Sequence, residues 1–101
     1  MAKVHRLTDV AETTIGMHFM CPGCKRGHLI HVQSPTVPVW GWNGSVDKPT
    51  FTPSLLVTWP GETLRCHSFI TDGRIQFLGD CTHELVNQTV DLDEITEDTG
   101  P

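Results

Sequence analysis

Four cysteines and three histidines carry most of the chemical capacity of this chain. Cys21-Pro22-Gly23-Cys24 is a C-x-x-C step, in which two thiolates converge on one ion while Pro22 and Gly23 favour the tight turn between them. A redox C-x-x-C usually opens a helix within a βαβ unit. Here Gly27 and the β-rich run Leu29-Ile30-His31-Val32 follow instead, so the step reads as half of a metal site. The other half is less conventional, because Cys66 and Cys81 are fifteen residues apart with no second C-x-x-C. Between them lies Asp72-Gly73, a preferred centre for a two-residue hairpin turn. Pairing Thr71 with Arg74 sets Ile70 opposite Ile75, Ser68 opposite Phe77 and Cys66 opposite Gly79, all six on one face. Cys81 follows at the same open end, so the predicted ligands are Cys21, Cys24, Cys66 and Cys81, with His67 on the opposite face. A bulge at Gly79 or Asp80 would upset that count, and His83, which shares the parity of Cys81, is then the first substitute. The bland reading keeps Cys66 and Cys81 as small buried core residues.

His28, His67 and His83 suggest a second arrangement, a metal with three protein ligands and an open water position, with Glu84 or Asp80 as general base. No H-E-x-x-H occurs, and the deaminase pattern of H-x-E before P-C-x-x-C fails because C-P-G-C comes first. The expectation from the residues is therefore a metal framework with no catalytic set. Trp40 and Trp42, two apart, share a face if extended; they serve either as core or as a binding surface.

Composition explains why a staple is needed and which kind. One domain fits 101 residues, and with 38% hydrophobic residues and seven aromatics its core should be modest. Met1–Val10 carries Lys3, Arg6 and Asp9 with no apolar segment behind them, so no secretion signal is expected, and no apolar run is long enough to cross a bilayer. In a reducing cytosol thiols stay free unless a metal claims them, which favours zinc over disulfides. The formal charge of −5 is uneven: residues 91–101 hold five acids and no base, while the other 90 hold seven acids against seven Lys plus Arg. A near-neutral body lacks the basic patch that drives nucleic-acid binding. A protein partner is expected instead.

Turn residues recur about every ten positions with short β-branched and aromatic runs between them, the pattern of a mostly β, antiparallel domain. Strands are predicted near 17–20, 29–33, 37–42, 54–59, 63–70 and 74–78. Pro49 and Pro53 bracket Phe51, a segment predicted to be an edge or a loop because proline has no N–H. One short helical turn is expected at 82–87, capped by Thr82. The domain is placed at 1–90, with 91–101 as an acidic, disordered tail.

C-P-G-C followed by His28, W-N-G at Trp42–Gly44, F-T-P-S at Phe51–Ser54, and C-H-S-F-I-x-D-G-x-I-x-F-L-x-D-C-x-H from Cys66 to His83 resemble a family of small, largely uncharacterised bacteriophage and prophage proteins. The match spans most of residues 17–92. Some members carry the label ammonia monooxygenase, a chemistry of membrane-bound copper enzymes that this sequence does not suit. The resemblance implies a phage origin, the cytoplasm of an infected host and a metal-centred domain, but no reaction. Together these features predict a noncatalytic zinc-stabilised domain that binds a host or phage protein. A small zinc hydrolase using His28, His67 and His83, or a minor virion component, are the alternatives.

Overall fold

The computed structural model describes residues 2–95. Eight strands form two antiparallel sheets. The first contains β1 (His5–Thr8), β2 (Thr14–Met20) and β3 (Gly27–His31) in sequential order. The second contains β4 (Gly41–Trp42), β5 (Phe51–Thr58), β6 (Arg65–Thr71), β7 (Arg74–Phe77) and β8 (Thr89–Asp91), also in order. Sequential order follows from the short turns, since neighbouring antiparallel strands need only a few linking residues.

The hairpin that the sequence predicts is present in the predicted register: Thr71 pairs with Arg74, Ile70 with Ile75 and Ser68 with Phe77. Asp72 and Gly73 both take positive φ, 55° and 77°, as a type I′ turn requires. Alternation then turns Cys66, Ser68, Ile70, Ile75 and Phe77 inward, and all five are buried. Inward residues of the first sheet, Met17, Phe19, Cys21 and Ile30, join them with Phe51 and Leu55 in one core. The sheets are also tied through the main chain, with Trp40 N–H donating to His31 C=O at 2.8 Å and Lys3 N–H to Val46 C=O at 2.7 Å.

Three expectations need correction. The segment around Pro53 is neither edge nor loop, because β5 lies between β4 and β6. A register shift between Phe51 and Leu55 accommodates the proline, which spares the ladder an N–H at that point. The helical turn expected at 82–87 is absent; His83 C=O accepts from Val86 N–H and Leu85 C=O from Gln88 N–H, so successive tight turns lead into β8, and no helix occurs among the described residues. The ordered body also passes residue 90. Asp91 belongs to β8, Leu92 is buried and Ile95 N–H donates to Ala2 C=O at 2.8 Å, while residues 96–101 of the expected tail lie outside the described residues.

Phe77 fills the centre of this core, 1% exposed, with its ring edge-on to His83 at 4.4 Å between centroids. Truncation there leaves a cavity that rigid strands cannot close. Phe77→Ala should therefore cost about 3–5 kcal/mol, read as a lower urea midpoint for unfolding.

Candidate active site and metal centre

The metal centre begins at the knuckle between β2 and β3. Lys25 N–H donates to Cys21 C=O at 2.8 Å and Cys21 N–H to Arg26 C=O at 2.9 Å, which closes the loop, and Cys24 N–H points at the Cys21 sulfur at 3.5 Å. Gly23 is required because the His83 ring lies directly against its Cα, where a side chain would collide. From β6, Cys66 brings its sulfur within 3.8 Å of the Cys21 sulfur. That separation matches the edge of a tetrahedron with metal–sulfur bonds of about 2.3 Å, and is far beyond a disulfide bond of about 2.05 Å. All four cysteines are free.

The donor that lies with Cys21, Cys24 and Cys66 is His28 rather than Cys81. Donor atoms of Cys21, Cys24, His28 and Cys66 all lie within 4.8 Å of one another. His28 pairs with Phe19 across the β2–β3 ladder and faces inward, 2% exposed, between the rings of Phe19 and Trp59. Neither of its ring nitrogens has a hydrogen-bond partner. A buried imidazole left unpaired is costly, and an ion at this position removes that cost. Cys81 instead groups with Cys66 and His83. Cys81 does come beside Cys66 as parity predicts, but the chain turns tightly at Leu78–Cys81, where Cys81 N–H donates to Leu78 C=O at 3.2 Å.

Charge in the four-donor site follows from its packing. The contact with Cys66 pulls the Cys21 thiol down to about 4. That same contact, with burial, raises Cys66, while burial and the neighbouring Cys21 push Cys24 up to about 12. Metal ligation needs thiolates, so an entering ion must displace the protons of Cys24 and Cys66. Binding should release about two protons per ion near neutral pH, and affinity should fall as pH falls; calorimetric titration with a divalent ion in buffers of different ionisation enthalpy measures the number.

On the outer face of the second sheet lies a constellation that sequence reasoning did not assemble. Ser54 Oγ is 3.0 Å from His67 Nε2, and His67 Nδ1 is 3.2 Å from Asp80 Oδ2 and 3.3 Å from Oδ1. With Nδ1–H donating to the carboxylate, Nε2 presents its lone pair to the serine hydroxyl. This is the arrangement of nucleophile, base and orienting acid used in acyl transfer, recognised by geometry rather than by order in the chain. β5 supplies Ser54, β6 supplies His67 and the turn after β7 supplies Asp80. Leu56 pairs with His67, so Ser54, two residues from Leu56, shares its face. Ser54 and His67 are half-buried and Asp80 is more open. Trp40 supports the serine from its own loop, its Nε1–H donating to Ser54 C=O at 3.2 Å.

The three histidines predicted to act together are dispersed. His28 belongs to the metal group, His67 to the serine on the opposite face, and His83 lies against the knuckle with Leu85 N–H donating to its Nδ1 at 3.3 Å. Asp80 is expected as a general base, but for a metal-bound water, and Ser54 lies in the recurring F-T-P-S with no role attached to it. Only the parity of β5 against β6 could have joined them.

A family model described as bacterial ubiquitination-like system serine protease (BubE) matches residues 3–78. Comparison with curated proteins and with solved structures finds no match. Ser54 and His67 fall inside the matched span, and Asp80 lies two residues beyond it. The expectation of a noncatalytic domain is thereby corrected, since the family is described as a protease. With the model covering most of its length, the chain belongs to the family of bacterial ubiquitination-like system serine proteases (BubE).

Proposed function

We propose that the protein is a serine hydrolase of amide bonds, with Ser54 as nucleophile, His67 as general base and then acid, and Asp80 as the carboxylate that orients and stabilises the imidazolium. The observation that carries this reading is the continuous Ser54–His67–Asp80 hydrogen-bond chain, each link between 3.0 and 3.3 Å. Ser54 Oγ attacks the substrate carbonyl while Nε2 takes its proton, and the same proton passes to the departing amine. Water then adds to the acyl-enzyme, again deprotonated by Nε2, and releases the acid and the free serine. The family description directs the substrate toward a protein carrying a modifier within a ubiquitination-like system, where the bond cleaved joins a modifier carboxyl group to an amine.

The metal in this reading is zinc, at Cys21, Cys24, His28 and Cys66. Three thiols and one imidazole with their donor atoms within 4.8 Å of one another suit structural zinc, which these four residues would hold without an open position for substrate. The ion joins β2 and β3 to β6, and so makes up for a small apolar core.

Ser54→Ala should lower kcat on an amide or activated-ester substrate by roughly a thousandfold or more, with zinc still at one ion per chain by elemental analysis. A fluorophosphonate should label the unaltered protein at Ser54 and spare this variant. Undiminished hydrolysis by Ser54→Ala would remove the serine from the mechanism.

A further inference from the structure

His67 stands where the β6–β7 ladder breaks. Ser68 and Phe77 form the last regular pair at that end, and the next would join His67 to Leu78 through two backbone hydrogen bonds. One of these forms, Leu78 N–H donating to His67 C=O at 2.9 Å. The Leu78 carbonyl, however, is turned onto Cys81 N–H at 3.2 Å as the chain reverses. His67 N–H is thus deprived of its ladder acceptor in the middle of a sheet, where an unmet donor is destabilising.

Cys81 replaces the missing acceptor. Its sulfur accepts from His67 N–H at 3.2 Å and also donates to His67 C=O at 3.2 Å. Cys81 stands outside the four-donor group, beside Cys66 and His83. The next residue continues the attachment: Thr82 N–H donates to Arg65 C=O at 3.0 Å, and Arg65 N–H to Thr82 Oγ1 at 2.8 Å.

The geometry points to Cys81 as a positioning residue for the hydrolytic site, its thiol clamping the main chain of His67 from inside the sheet. Its neighbour Asp80 holds the imidazole from outside, so one tight turn sets both the height of the base above Ser54 and the rotation of its ring. The inference rests on the Ser54–His67–Asp80 reading. Serine in place of Cys81 keeps one donor and one acceptor; alanine keeps neither.

The test uses the full chain with its metal. Cys81→Ala should lower kcat about ten- to a hundredfold with KM changed less than about threefold and metal content unchanged. Cys81→Ser should recover most of the loss. Amide hydrogen exchange in the unaltered protein should show His67 N–H protected, a readout that stands even if the alanine variant does not fold. Unchanged kcat in Cys81→Ala, loss of metal from Cys81→Ser, or rapid exchange at His67 would each overturn the assignment. Ser54→Ala separates the two ideas: if it stays active the nucleophile is wrong, whereas a Cys81 failure beside an inactive Ser54→Ala leaves the triad intact.

Discussion

Successive side chains of a β-strand leave on opposite faces, and in β6 this places Cys66 in the core beside Cys21 while His67 stands on the outer face beside Ser54. A candidate metal ligand and the proposed general base are therefore consecutive residues that share a peptide unit but no environment. Every other part of the molecule is arranged around this strand. β5 pairs along one edge of it and carries Ser54; β7 pairs along the other and leads into the turn that carries Asp80.

Burial is then divided between two kinds of cohesion. Apolar packing is concentrated in a few large side chains, Met17, Phe19, Ile30, Ile70, Ile75 and Phe77, each no more than 2% exposed. Donor groups that would otherwise be liabilities lie beside them, including His28 with two unpaired ring nitrogens. Such groups are tolerable in a small core when they converge on a common ion. The knuckle is further held at its rim, where the Arg26 guanidinium forms a two-pronged pair with Glu62 at 2.8 and 3.0 Å and lies 5.0 Å over the Trp59 ring. Trp59 in turn flanks His28, so a surface loop closes over the metal group from outside.

The outer face differs in character. Ser54, His67 and Asp80 sit on an open sheet rather than in a deep cleft, and exposed Leu56 and Phe69 flank His67 across and along the strands. A protein substrate can approach such a face, and its own surface then excludes the water that a cleft would exclude. Substrate of that size is consistent with a family placed in a ubiquitination-like system.

Local rules in the sequence were enough for the β class, the C-P-G-C knuckle, the Asp72-Gly73 hairpin with its register, and the inward path of Cys66, because each depends on residues within one turn or one hairpin. His67 was likewise assigned to the face opposite Cys66 by parity alone. Beyond the hairpin the parity count ends at Gly79, where the chain reverses, and it cannot choose between Cys81 and His28 as the companion of the other three cysteines. Proline statistics placed residue 53 at an edge, yet the register shift in β5 let it lie mid-sheet. Ser54 belongs to the recurring F-T-P-S, but its pairing is not legible there for a deeper reason: its partner His67 is thirteen residues away, and their meeting is decided by how β5 slides against β6. The sequence by itself determined the knuckle, the hairpin and the inward face; only the tertiary structure decided that His28 lies with Cys21, Cys24 and Cys66 and that Ser54, His67 and Asp80 meet, since cross-strand register is set by the packing of the whole core and not by any local pattern.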